Sequence, residues 1–245
     1  MDKNLLSYRV KNMPESATLK MAQMARDLKS QGVDIVDMSL GEPDFDTPDD
    51  IKEAAKKALD DGYTKYTPVP GLPLLRKAIV NKLKRDNNLD YNIDQIVVTN
   101  GAKQAIANIC LALLNPGDEV VLFTPYWVSY DSIIKIAEGV PVIVSAGIDQ
   151  DFKIKPEQLE AAITDKTKLV LFSSPSNPTG SVYTHEELGK LAEVLKKYPN
   201  VHIISDEIYE YINFGSGHAS IASFDYLKDR VIIVNGMSKG FAMTG

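Results

Sequence analysis

From residue 96 onward the chain alternates two patterns, and that alternation leaves few architectures open. Short continuous apolar runs rich in β-branched residues recur as "IVVTN" (96–100), "EVVLFTP" (119–125), "VPVIVSA" (140–146), "KLVLFSSP" (168–175), "VHIISDE" (201–207) and "VIIVNG" (231–236). Helical patterns lie between most of them: "GAKQAIANICLALL", "SYDSIIKIAEG", "KPEQLEAAI" and "THEELGKLAEVLKKY". A strand that is apolar throughout must be covered on both faces, and the intervening helices supply the cover. The expected fold class is therefore α/β, with a mostly parallel sheet flanked by helices. Ligands of such sheets bind beyond the carboxyl ends of the strands.

The first 44 residues read differently, as an extended arm plus one amphipathic helix over roughly residues 19–31. "IVDMSL" (35–40) reads as a short strand and "GEPDFDTP" as turn chemistry. "PDDIKEAAKKALDDG" is a helix with acidic residues in its first turn and a glycine after its end. An ordered loop, "YTKYTPVPGLP", precedes another helix, "LLRKAIVNKLKRDN".

Composition narrows the class of partner. The net charge of −6 has no concentrated basic block, which argues against a nucleic-acid partner. With one cysteine, Cys110, an intramolecular disulfide is impossible, and its apolar helical setting reads as a buried packing residue. The start of the chain has no apolar core of a secretion signal, and no run is long enough to span a bilayer. The expected compartment is cytoplasmic, with no membrane partner. No metal cluster stands out.

The residues after the strands carry the chemistry. Asn100-Gly101-Ala102-Lys103 opens a helix, where free N–H groups and the helix dipole favour an anion such as a phosphate. Trp127, the only tryptophan, offers a flat wall to an aromatic ring. Asn177 presents an amide from an Asn-Pro turn in which a cis bond is plausible. Asp206 and Tyr209 follow a buried strand, and a carboxylate there needs a partner. Lys239 follows the last strand among small residues, where desolvation would favour the free, nucleophilic amine. An anion cradle, a stacking wall, an amide, a carboxylate and an amine together suit pyridoxal 5′-phosphate (PLP). A nicotinamide cofactor fits less well, because no G-x-G-x-x-G is present.

The segments "SLGEPDFDTP", "KYTPVPG", "GAKQA", "PYW", "SPSNPTG", "SDEIYE" and "NGMSKGFAMTG" occur in this order along essentially the whole chain. In them the sequence resembles the class I aminotransferases of the aspartate aminotransferase family, fold-type I PLP enzymes, and within them the bacterial subgroup Ib. The resemblance implies that Lys239 is the Schiff-base lysine and moves a proton at the substrate. Asp206 would pair with the pyridinium nitrogen. Tyr209 and Asn177 would bond the ring oxygen, and Trp127 would stack on the ring. Gly101, Ala102, Lys103 and Ser238 would surround the phosphate. Tyr66 would reach the phosphate of a neighbouring subunit, implying a homodimer with shared sites. Gly41 would approach the substrate carboxylate through its backbone, while Lys103, with Ser16 and Thr18 assisting, would recognise the distal carboxylate of aspartate or glutamate. The acceptor would be a 2-oxo acid.

One local departure is Gly236, where many relatives carry a serine that touches the phosphate. A larger one is that family members continue past "AMTG" into a segment with a phosphate-clamping arginine, a further sheet strand and a small domain with an arginine for the α-carboxylate. The expected division is thus an arm and small-domain segment over 1–44 and a PLP-binding large domain over 45–245, its C-terminal part absent. Little transamination is expected from such a fragment. A non-catalytic PLP-binding or regulatory module, and another fold-type I activity such as a β-lyase, are the alternatives.

Overall fold

The computed structural model describes residues 5–11, 13, 17–38, 41–215 and 217–245. Five parallel strands form one sheet: β1 (Glu119–Thr124), β2 (Val140–Ser145), β3 (Thr167–Ser173), β4 (His202–Asp206) and β5 (Val231–Val234). Their order across the sheet is β2-β1-β3-β4-β5. Before them come α1 (Tyr8–Lys11), α2 (Ala17–Ser30), α3 (Asp49–Asp60), α4 (Pro73–Asn87) and α5 (Ala102–Leu113). Between them run α6 (Ser129–Ile136), α7 (Pro156–Ala162) and α8 (His185–Lys196).

Strand alternation divides the core in two. Val121 and Phe123 of β1, Val170 and Phe172 of β3 and Ile203 of β4 face a cluster with Leu159 of α7 and Leu188, Leu191 and Leu195 of α8. Their neighbours Val120, Leu122, Leu169, Leu171 and Ile204 face the other way, onto Ile106 and Cys110 of α5 and Tyr130, Ile133 and Ile134 of α6. Each fully buried leucine or isoleucine contributes about 1.5–3 kcal/mol over an exposed one. Cys110 is fully buried in this second layer, and burial pushes its thiol up to about 12, so the packing role expected of it holds. The start of α8 is closed by a capping box: Glu187 N–H donates to Thr184 Oγ1 at 3.2 Å and Thr184 N–H donates to the Glu187 carboxylate at 2.8 Å.

Two strand expectations fail. Residues 96–99 are extended but join no ladder among the described residues. Other groups take their backbone: Val98 N–H donates to Pro70 O at 3.0 Å, and the Arg76 guanidinium donates to Ile96 O at 2.9 Å and also to Ile93 O. Residues 35–38 of "IVDMSL" are irregular, and residues 39 and 40 lie outside the described set. A β-branched run is a strand only where a neighbour offers its edge, and among the described residues neither segment has one. The helix expected near 19–31 runs Ala17–Ser30. No helix among the described residues is long and apolar enough to cross a membrane.

Candidate functional site

The site forms where β1, β3, β4 and β5 end. Alternation places Asp206, the last residue of β4, on the same face as Ile204, two positions before it, and so toward α6. There the Tyr130 hydroxyl donates to Asp206 Oδ2 at 2.6 Å, while Ile208 N–H donates to Oδ1 at 3.2 Å. Asp206 is 3% exposed, and no salt bridge reaches it among the described residues. Burial pushes its carboxyl up to about 6, against the two donors that favour the charged form. Glu207, one residue on, turns to the opposite face. It accepts from Ser205 Oγ at 2.8 Å and Ser220 Oγ at 2.7 Å and lies 2.8 Å from His218 Nε2. The two adjacent acids therefore have separate surroundings, one short of cations and one anchored to the following loop.

Lys239 lies in the turn after β5, half-buried, and its Nζ donates to Gly41 O at 2.5 Å. Burial lowers its pKa, opposed by Glu42. The same amine is 5.9 Å from the centre of the Tyr209 ring. Tyr209 OH accepts from Asn177 Nδ2 at 3.5 Å, and a side chain at Gly41 would point to within 4.0 Å of that hydroxyl. The Asn177–Pro178 bond is cis. Two further bonds join the same stretches of chain: Thr47 Oγ1 donates to Ala242 O and Thr244 Oγ1 to Glu42 Oε1, both at 2.6 Å. Close backbone approach is required nearby, since a Cβ on Gly240 would meet Tyr211 Cβ at 2.9 Å. At Gly236, the position lacking the expected serine, a Cβ would meet Ile208 Cδ1 at 3.1 Å.

The remaining side chains divide into those joined to this centre and those outside it. Trp127 packs edge-on against Tyr130, centroids 5.4 Å apart at 89°, and Lys103 Nζ lies 4.9 Å over the indole. Gly101 immediately precedes α5 as its N-cap, at φ +83° with open space where a Cβ would stand, and makes no side-chain cap. Its neighbour Ala102 is the first residue of the helix. Ser238 is part-buried in the Lys239 turn. Tyr66 is fully exposed. Ser16 lies outside the described residues, and Thr18 falls in α2 with its side chain outside the described set.

Sequence reasoning missed Tyr130 and the anchoring of Glu207. Tyr130 keeps the spacing of Ile133, Ile134 and Ala137 and so reads as one more core residue. The available signal was its place three residues after Trp127, at the start of the helix that follows a strand end.

The residues fit PLP on two observations. The buried Asp206 has acceptor positions left and, among the described residues, no cation to fill them, which suits a pyridinium N–H. The uncapped α5 start at Gly101 suits a phosphate.

The family described as "Aminotransferase class I and II" matches residues 33–245. A probable aspartate/prephenate aminotransferase of Rickettsia felis is 50% identical over 99% of this chain and 60% of its own length. An aspartate aminotransferase of Bacillus sp. YM-2 is 48% identical, covering 99% of this chain and 62% of the relative. Among solved structures, the aspartate aminotransferase of Rhizobium meliloti superposes with a TM-score of 0.95 at 43% identity, over 98% of this chain and 60% of that one. The Thermus thermophilus aspartate aminotransferase with maleate gives 0.93 at 44% identity, over 98% and 62%. The chain thus spans about 60% of the length of these relatives. Its parallel sheet and flanking helices match the large domain of these aspartate aminotransferases, and the chain belongs to the class I and II aminotransferases.

Proposed function

We propose that this chain carries the cofactor-binding part of a PLP-dependent aminotransferase that moves an amino group between aspartate or glutamate and a 2-oxo acid. The observation that carries the reading is the buried Asp206 carboxylate without a cationic partner, on the strand next to the one that delivers the half-buried Lys239 amine. When bound, PLP supplies an electron sink for charge developing at the substrate Cα. Asp206 would keep the pyridine nitrogen protonated. Tyr209 and Asn177 would hold the ring through its oxygen, and Trp127 would stack on it. Gly101, Ala102, Lys103 and Ser238 would hold the phosphate. Lys239, released from Gly41 O, accepts and returns the proton at Cα; its lowered pKa favours the free amine this needs.

Lys103 is the specificity residue in this reading, its ammonium held over Trp127 at the rim of the site. The Thermus thermophilus relative is seen with maleate, a dicarboxylate, which supports an acidic substrate. Ser16 and Thr18 would assist, and Gly41 would meet the α-carboxylate through its backbone. The full exposure of Tyr66 supports its serving a neighbouring subunit in a homodimer. Residues 45–245 would be the large domain and 1–44 the arm.

The test is intact mass before and after borohydride reduction in the presence of PLP. A 27.0 kDa chain that gains one pyridoxyl phosphate, mapped to Lys239, is expected. A folded chain with no adduct, or an adduct elsewhere, overturns the reading.

A further inference from the structure

We propose that Tyr130 is a positioning residue of this site: its hydroxyl fixes the direction and charge of the Asp206 carboxylate, and its ring braces the Trp127 wall. The inference rests on the proposed PLP chemistry for its purpose, but its geometry stands without the cofactor. Tyr130 is 1% exposed, the largest fully buried side chain of the molecule's described residues. A buried phenol is costly without a hydrogen-bond partner, and here the partner is Asp206 Oδ2 at 2.6 Å, a short charge-assisted bond. The Ser173 hydroxyl, on the strand residue in register with Asp206, contacts the same phenol. The ring edge meets Trp127 at 5.4 Å, and Tyr130 N–H donates to Trp127 O at 3.0 Å. One side chain therefore ties the carboxylate at the end of β4 to the indole after β1, across the intervening β3.

The consequence for Asp206 follows from what surrounds it. Burial opposes its charge, and so does Glu207 through the turn. Tyr209 faces it as well and gains nothing from a second negative charge. Among the described residues, Tyr130 O–H and Ile208 N–H are the donors that favour the carboxylate form. Of these, the Ile208 N–H is a backbone donor within the same turn and cannot set the carboxylate against another element. Tyr130, on α6, can. By holding Oδ2 it leaves the other acceptor positions for an incoming cationic N–H.

The experiment follows Asp206 in the unloaded chain by the 13C shift of its labelled carboxyl, with Asp206→Asn assigning the resonance. Tyr130→Phe removes only the hydroxyl and keeps the ring against Trp127. The Asp206 midpoint is expected to rise by about one pH unit, roughly a tenfold change in ionisation constant, as for loss of one hydrogen bond to a charged group. Trp127 emission, the only tryptophan signal, is expected to stay at the wild-type wavelength. An unchanged midpoint overturns the proposal. Should Tyr130→Phe fail to fold, 13Cζ-tyrosine labelling of the unsubstituted chain keeps the question open to refutation. One tyrosine resonance must then titrate with the Asp206 midpoint and go flat in Asp206→Asn, and its absence overturns the proposal. The borohydride result is separate: a shifted midpoint without a Lys239 adduct rejects the proposed function and leaves the role of Tyr130 toward Asp206 standing.

Discussion

Replacing Asp206 with asparagine is expected to stabilise the unloaded chain at neutral pH while abolishing the proposed chemistry. Burial raises this carboxyl from its ordinary 3.8 to about 6 in the folded chain. The folded state thus binds the proton more tightly than the unfolded one. Stability from this group is fully present below the unfolded value of 3.8 and is lost as pH rises toward the folded value of about 6. Above that window the loss is complete. A rise of about two pH units at about 1.4 kcal/mol each amounts to about 3 kcal/mol. Asparagine carries no charge at any pH and escapes the loss. Its amide can still accept from one of the two donors, at the cost of an imperfect match to the other, about 1–3 kcal/mol. That cost does not vary with pH, so the pH dependence isolates the charge. The assay is urea unfolding of both chains at pH 7.5 and again near pH 4. The advantage of Asp206→Asn is expected to be about 2–3 kcal/mol larger at the higher pH. A difference that does not change between the two conditions would refute the view that Asp206 is a desolvated charge awaiting a cation.

Two other substitutions probe the rim and the backbone of the site. In the PLP-loaded chain, Lys103→Ala is expected to weaken binding of aspartate about tenfold, read from the cofactor absorbance, and to leave a neutral amino acid nearly unaffected; equal losses would remove Lys103 from substrate choice. Gly240→Ala brings a Cβ to 2.9 Å of Tyr211 Cβ; it is expected to cost about 1–3 kcal/mol in chemical denaturation, and a neutral result would mean that the Lys239 turn is not held against Tyr211.

Much of this arrangement was legible in the sequence because it depends on local pattern. β1 to β5 are continuous apolar runs, and their period of two places Ile204 and Asp206 on one face without any knowledge of distant contacts. The helix at Gly101 and the turn at Asn177 were announced by glycine and proline. Residues 96–99 were not, because a strand is a property of a pair, and their backbone is engaged by Pro70 and Arg76 instead. Tyr130 stayed hidden for a related reason. Its helical spacing is that of a core residue, and only the third dimension shows its hydroxyl on Asp206. The anchoring of Glu207 by Ser205, His218 and Ser220 spans the loop that follows and leaves no periodic trace.

The bonds that close the site join positions far apart along the chain: Thr47 to Ala242, Gly41 to Lys239 and Glu42 to Thr244, at separations of 195, 198 and 202 residues. Contacts so distant in sequence carry a large loop-closure cost and form only when the intervening structure has brought their ends together. The Lys239 amine and its carbonyl partner on Gly41 are thus set together by the fold and not by local sequence. In the proposed function, any change that loosens the early segment from the last turn would disturb the lysine without touching it.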